Sequence, residues 1–130
     1  MIGRKNRFHG RGSIRRLQRG GKSVRFGALS LRYAPNQKRE TYRLAVVASR
    51  KVSKSAVVRN RIRRRIYERV RILSDTFTSP YDLIIVAYDE RLATMPADKL
   101  DAMVAKLLSK AMVTPSSKLT RRAIVEPKEF

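Results

Sequence analysis

The sequence predicts a compact α+β domain in which helices pack against a small mixed sheet, in the order α-β-β-α-β-α. Three observations support this prediction. Apolar residues recur every three or four positions across residues 55–74 and 97–112, which is the period of a helix lying on a core. Residues 28–33 alternate between large apolar and small or basic side chains, as a strand does. Residues 81–88 form a continuous apolar run typical of a buried strand.

Local signals define the first three elements. Ser13 can cap a short helix over residues 14–19, and the following pair of glycines can end it. Strands are expected over residues 24–33 and 41–48. Turn-forming residues separate these two strands, so we expect them to pair as a hairpin.

The remaining elements follow a basic connection over residues 49–54. A long helix is expected from about residue 55 to residue 74. A third strand over 81–88 begins after a proline, and a second amphipathic helix from about residue 97 completes the order.

The long helix carries the strongest functional signal in the chain. Val57 is a core candidate, beside a predicted apolar stripe that comprises Val58, Ile62, Ile66, Val70 and Leu73. The residues roughly opposite this stripe are Asn60, Arg63, Arg64, Tyr67 and Arg71. Residues 55–74 contain seven arginines and one acid, Glu68, although like charges this close together weaken a helix. We therefore expect this face to bind a polyanion, since arginine can grip phosphates bidentately and stack on bases.

The charge of the chain is concentrated in its first part. The formal net charge is +21, with 23 basic and 2 acidic residues in 1–74 and 8 of each in 75–130. Such asymmetry indicates a basic binding surface, for which nucleic acid is the expected partner.

Few residues could support catalysis by the protein itself. Cysteine is absent, which excludes disulfides and thiolate metal sites. His9 is the only histidine and lies in a glycine-rich segment, and Asp89 and Glu90 are expected to form a solvated turn. Gly21-Lys22-Ser23 lacks the upstream glycine of a phosphate-binding loop. Without a membrane-length apolar run or a secretory signal, the expected location is cytoplasmic.

Residues 58–64 are Val-Arg-Asn-Arg-Ile-Arg-Arg, and three further distinctive blocks lie at residues 7–24, 43–52 and 81–87. In this order the four blocks resemble the bacterial ribonuclease P protein component, the protein subunit of the tRNA 5′-processing ribonucleoprotein. Residues 58–64 resemble its RNR signature. Residues 43–52 resemble its R-x-G-hydrophobic-x-V-S-K-K strand and loop, and residues 7–24 resemble its opening segment. Residues 81–87 resemble its Y-D-hydrophobic strand. The resemblance covers roughly residues 7–113.

The resemblance implies an α+β sandwich of the ribosomal protein S5 domain 2-like type, with a left-handed β-α-β crossover. It also implies an endoribonuclease that removes the 5′ leader of precursor tRNA by phosphodiester hydrolysis. The catalytic Mg²⁺ would be held mainly by the RNA subunit, and the protein alone would be inactive. The implied partners are the ribonuclease P RNA subunit and precursor tRNA, with neither DNA nor membrane expected.

Two sets of site residues carry over from the family. The residues matching its contact with the catalytic RNA are Arg50, Lys51, Arg59, Asn60, Arg61, Arg63 and Arg64. The residues expected to line its leader cleft, between the first helix and the sheet, are Ile14, Gln18, Ala28, Ser30 and Arg32. Ile14 and Gln18 depart from the family, which often has aromatic residues there, and Tyr67 stands where a further arginine is common. No catalytic or metal-binding residue is expected in the protein.

Composition and periodicity divide the chain into three parts. We expect a basic flexible arm over residues 1–12, a single RNA-binding domain over 13–113, and a C-terminal tail over 114–130 that is disordered. Two alternatives stay open at this point. A ribosomal or other structural RNA-binding protein of similar fold would carry the same basic face. A protein-only nuclease would have to use Asp82, Asp89 or Glu90.

Overall fold

The computed structural model describes residues 11–36 and 38–111. Within these residues the chain forms α1 (Arg11–Gly20), β1 (Lys22–Phe26), β2 (Leu29–Pro35), β3 (Arg43–Val47), α2 (Ala56–Leu73), β4 (Tyr81–Ala87) and α3 (Ala97–Lys110). Two short 3₁₀ turns, Ser74–Thr76 and Glu90–Ala93, follow α2 and β4. In the part of the chain that is described, none of the helices combines the length and apolar character that a membrane crossing requires.

The four strands form one mixed sheet in the order β1-β2-β4-β3. The pairs β1–β2 and β2–β4 are antiparallel, whereas β3 and β4 are parallel and are joined by α2. The predicted α+β class and the β-α-β unit are therefore confirmed. The left hand of the crossover stays a prediction.

The segment predicted as one strand over residues 24–33 is instead a hairpin. Phe26 pairs with Leu29, and the intervening Gly27 adopts a φ of 59°, which glycine accepts without steric cost. The prediction was wrong because the apolar alternation continues on both sides of this two-residue turn. The sheet thus has one strand more than expected.

The hairpin predicted between strands 24–33 and 41–48 is also wrong. β4 lies between β2 and β3 and pairs with both of them. Its side chains explain the central position, because Leu83 and Ile85 are buried on one face of the sheet and Ile84 is buried on the other. A strand that is apolar on both faces is stable only where both faces are covered.

Two apolar layers enclose the sheet. The larger lies between the sheet and helices α2 and α3, and it buries Ile62, Ile66, Val70 and Leu73 of the predicted stripe. Val58 is only partly buried. Val57 was predicted as a core residue and is 73% exposed, because it lies one position off the stripe and faces away from the sheet.

The smaller layer lies on the other face, where α1 covers part of the sheet. Leu17 of α1 is buried with Ala45 and Ile84, and Ile14 packs against this group. α1 begins at Arg11, so the predicted arm over 1–12 extends two residues into the helix. The rest of that arm and the predicted tail over 114–130 lie outside the described residues.

Candidate RNA-binding surfaces

The start of α2 is fixed by a chain of serine contacts. The hydroxyl of Ser53 accepts a hydrogen bond from the backbone N–H of Ser55 at 3.2 Å, and the hydroxyl of Ser55 accepts one from the N–H of Val58 at 3.3 Å. Ser55 is thus the N-cap of the helix. Arg50 and Lys51 lie exposed in the turn that precedes these serines. The cap therefore places the basic turn and the first turns of α2 side by side.

We call the seven residues predicted to contact the catalytic RNA the basic surface: Arg50, Lys51, Arg59, Asn60, Arg61, Arg63 and Arg64. The structure brings them together around the N-terminal half of α2. Asn60, Arg61 and Arg64 are exposed, and Arg59 and Arg63 are half-buried. Arg63 donates to the Ala48 carbonyl at 3.4 Å and to the side-chain oxygen of Asn60. Arg63 therefore connects the helix to the segment after β3 and orients the Asn60 amide.

Two residues of the same helix have structural contacts instead. Arg65 donates to the Leu92 carbonyl at 2.6 Å and to the Met95 carbonyl, which connects α2 to the segment between β4 and α3. Burial, followed by the charges of Arg61 and Arg69, lowers the pKa of Arg65. Sequence patterns did not predict this role, although position 65 lies next to the apolar stripe on the helix.

Tyr67 is the second inward-facing residue. Its hydroxyl accepts a hydrogen bond from the backbone N–H of Val46 at 3.2 Å. Val46 belongs to β3, an edge strand with one side that no other strand of the described residues covers. Tyr67 therefore satisfies a donor of the sheet edge and is half-buried, whereas the sequence placed it on the polar face.

A groove of about 480 Å³ extends the basic surface towards α3. It is lined by Arg61, Arg64, Arg65, Glu68, Arg69, Ala97 and Leu100. The carboxylate of Glu68 is held by Arg71, and this hydrogen bond lowers the pKa of Glu68 to about 2. The carboxylate thus stays charged and engaged by Arg71, and arginine dominates the lining of the groove.

The sheet face that carries α1 is the second candidate surface, and we call it the cleft face. Because strand partners lie on the same side of a sheet, the pairings of Ser30 with Val86 and of Arg32 with Ile84 place all four there. Ser30 and Arg32 are half-buried, and Ile14 packs against the layer beneath α1. The structure therefore brings these three predicted cleft residues to the same face.

The structure does not place the other two predicted cleft residues on the cleft face. Ala28 is 6% exposed and belongs to the main core on the opposite face, so its placement in the cleft was wrong. The reason is the turn at Gly27, which breaks the alternation that would put Ala28 beside Ser30. The side chain of Gln18 lies outside the described part of the structure.

Most of the carboxylates considered for a protein-only nuclease are hydrogen-bonded to other side chains. Asp82 accepts two hydrogen bonds from Arg43, both at 2.8 Å, and one from Asn36 at 3.0 Å. Asp89 accepts from Arg91, which lowers the pKa of Asp89. Within residues 11–36 and 38–111, no three histidine, cysteine or acidic side chains are grouped as a metal site. His9 lies outside the described residues.

Comparison with known proteins agrees with this arrangement. The family model described as Ribonuclease P matches residues 2–112. The chain belongs to the ribonuclease P protein family. The resemblance found in the four sequence blocks is confirmed, and with it the assignment to an endoribonuclease of tRNA 5′ processing in which this protein is one subunit.

Individual relatives support the same assignment. The ribonuclease P protein component of Roseiflexus castenholzii is 37% identical over 98 residues, covering 75% of this chain and 79% of the relative. That of Chloroflexus aggregans is 33% identical over 116 residues, covering 88% and 84%. The structure of the Staphylococcus aureus RNase P protein superimposes with a TM-score of 0.74 at 23% identity, covering 84% of this chain and 97% of that one, which supports the fold.

Proposed function

We propose that the protein binds the catalytic RNA of ribonuclease P through the basic surface and the 5′ leader of precursor tRNA through the cleft face. In this way it supports endonucleolytic removal of the leader and release of the mature tRNA 5′ end. The observation that carries the proposal is the exposure of Asn60, Arg61 and Arg64 beside Arg50 and Lys51 at one end of the domain. Arginines grouped in this way can neutralise several phosphates of one folded RNA.

We propose further that the Mg²⁺ ions of the reaction are bound mainly by the RNA subunit. Asp82 and Asp89 are each engaged by an arginine, which supports this division of labour. When bound there, Mg²⁺ supplies the activation of water and the stabilisation of the leaving oxygen that phosphodiester hydrolysis needs. The protein would contribute binding and orientation of the two RNAs. A cytoplasmic location, with no DNA partner, belongs to the same proposal.

Cleavage of precursor tRNA at low Mg²⁺ tests this function. Three reactions are compared: protein alone, the ribonuclease P RNA of the same organism alone, and the two together. We expect cleavage only in the combined reaction, because the arginines of the basic surface would neutralise RNA phosphates that Mg²⁺ alone would otherwise have to screen. Cleavage by the protein alone would instead indicate a protein-only nuclease, and no stimulation in the mixture would indicate a general RNA-binding protein.

Variants of the basic surface sharpen the test. Arg64→Gln removes one exposed guanidinium and should weaken assembly with the catalytic RNA. Lys99→Gln is a matched control, because it also removes an exposed positive charge, and Lys99 lies in the first turn of α3, outside the basic surface. Equal effects of the two variants on RNA affinity would contradict the assignment of the basic surface.

A further inference from the structure

An exposed tyrosine lies at one end of the cleft face, outside both sets of predicted site residues. Tyr88 directly follows β4 and is 47% exposed, more than any other aromatic residue in the described chain. Its backbone N–H donates to the Ala28 carbonyl at 2.9 Å, so the pairing of β4 with β2 continues to this position. Because side chains alternate along a strand, the ring of Tyr88 lies on the same side as Val86 and α1.

Two neighbouring strands hold the ring in place. The Tyr88 hydroxyl and the Ser30 hydroxyl form a hydrogen bond of 2.9 Å. The guanidinium carbon of Arg25 lies 4.4 Å from the centre of the ring, at cation–π distance. Arg25 pairs with Ser30 across β1 and β2, so all three residues belong to the same face. A ring that is already positioned loses little freedom when a ligand stacks on it.

The residues around Tyr88 form an apolar and positively charged surface, which suits binding of an unpaired nucleic acid strand. Val47 on the parallel strand β3 pairs with Val86 and is 39% exposed, which continues an apolar floor beside the ring. Arg25 is exposed and supplies positive charge. The adjacent carboxylate of Asp89 is engaged by Arg91 at 2.9 and 2.6 Å, so it is partly neutralised. Aromatic rings in a positively charged groove are the combination by which proteins hold single strands.

We propose that Tyr88 is the stacking platform for one base of the single-stranded leader, and that Arg25 holds the ring and contacts the neighbouring phosphate. The proposal deepens the leader-binding function and rests on it.

Equilibrium binding to the reconstituted holoenzyme tests the proposal. Dissociation constants are measured for precursor tRNA with its leader and for the same tRNA without it. Tyr88→Ala should weaken binding of the leader-bearing tRNA by between about 5-fold and 150-fold, the range of one aromatic–base stack. Binding of the leaderless tRNA should be unchanged.

Two further variants separate stacking from structure. Tyr88→Phe keeps the ring but loses the bond to Ser30, and it should stay within about threefold of the wild type, less than the effect of a missing stack. Tyr88→Leu keeps apolar bulk without a π-face and should resemble Tyr88→Ala, which keeps the test decisive if the alanine variant folds poorly. A thermal melt of each isolated protein confirms that it is folded.

The outcomes distinguish this proposal from the function on which it rests. If the wild-type holoenzyme shows no preference for the leader-bearing tRNA, leader binding itself fails. If that preference is present and survives in Tyr88→Ala or Tyr88→Leu, only the role of Tyr88 is overturned. An equal reduction in affinity for both tRNAs would also overturn it, because the residue would then act through assembly of the holoenzyme.

Discussion

Arg64 and Arg65 are adjacent in the chain and face different surroundings. Arg64 is exposed on the basic surface, whereas Arg65 donates to two backbone carbonyls that would otherwise lack these partners. A buried carbonyl without a hydrogen bond lowers the stability of the fold, because water cannot reach it to replace the missing bond. Two similar residues in one arginine-rich run thus serve different ends, RNA binding in the proposed function and folding in the structure.

Replacing each of the two arginines by glutamine should separate these roles. Arg65→Gln should lower the free energy of unfolding by about 1–3 kcal/mol, because it removes the bonds to Leu92 and Met95. Arg64→Gln should leave stability within about 0.5 kcal/mol of the wild type, as surface changes usually do. Chemical denaturation of the isolated proteins measures both values, and equal stabilities would contradict the structural role of Arg65.

Glu68 should make the stability of the folded protein depend on pH in the acidic range. Its pKa is lowered to about 2 in the folded protein by the bond from Arg71, against an ordinary value of 4.5. A carboxyl with a lowered pKa stabilises the fold above its ordinary pKa, and this contribution is lost as the pH falls from about 4.5 towards 2. The melting temperature of Glu68→Gln should therefore fall less than that of the wild type over this range. Parallel curves would show that the pair does not contribute, and high salt should weaken the difference because the pair is exposed.

The burial of single residues was predicted best where it follows from the periodicity of a helix. Ile62, Ile66 and Val70 are buried as expected. The exposure of Val57 and the inward contacts of Arg65 and Tyr67 were not predicted, because they depend on which other elements lie beside α2. The same holds for Tyr88, since its contacts to Arg25 and Ser30 require the hairpin and β4 to be neighbours.

The junction between α1 and β1 depends on a tightly packed glycine. Gly21 joins the helix to the strand, and its N–H donates to the Leu17 carbonyl at 2.8 Å. A Cβ at this position would lie 2.6 Å from the side chain of Leu17, 2.7 Å from the Leu17 carbonyl oxygen and 3.2 Å from the Tyr33 carbonyl oxygen. A side chain at position 21 would therefore force the end of α1 or the Leu17 side chain to shift.

Gly21→Ala should lower the free energy of unfolding by about 1–3 kcal/mol, the usual cost of forcing an extra group into a packed site. Gly20→Ala is the matched control, because a Cβ at Gly20 meets nothing within 4 Å. The control should be neutral or slightly stabilising, since alanine favours a helix. Thermal or urea unfolding of the two variants gives the comparison, and a similar destabilisation in both would contradict this account of the junction.

Helices were predicted more successfully than strand pairings. The expected helix at about 55–74 corresponds to α2 at Ala56–Leu73, because a long amphipathic period is a strong local signal. The pairing partners of β2 and β3 were wrong, since both pair with β4, which is distant in the chain. Local alternation shows that a strand exists but says little about its neighbour in the sheet.

At the scale of the whole molecule, the basic surface and Tyr88 lie near one end of the sheet. β3 and β4 are parallel, so their carboxyl ends are adjacent. The basic turn and α2 follow β3, and Tyr88 follows β4. The two surfaces nevertheless belong to opposite faces, because α2 covers the main core and α1 covers the cleft face. The catalytic RNA and the leader, bound as proposed, would therefore lie on different faces of the domain.

The excess of basic charge should make RNA binding strongly dependent on salt. Removing one phosphate interaction should reduce the slope of log affinity against log salt by about 0.7–0.9. Arg64→Gln should show a reduction of about this size in binding to the catalytic RNA. Arg65→Gln, which removes the same charge, should leave the slope close to that of the wild type. Filter binding across a salt series measures both, and equal reductions would indicate diffuse attraction without defined contacts.

The close-packed layer between the sheet and α2 makes the domain a spacer of fixed thickness. Protein interiors compress little, so the distance between a catalytic RNA on α2 and a leader on the cleft face would be set by core side chains such as Ile85, which is fully buried. Ile85→Val, which costs only about 0.5–1.5 kcal/mol, should therefore keep both the fold and this spacing, because the structure around a deleted methyl group relaxes only partially. We expect the variant to cut precursor tRNA at the same phosphate as the wild type, and mapping of the 5′ ends of the products would detect any displaced cut. Displaced cuts would show that the thickness of the layer follows small changes in its packing.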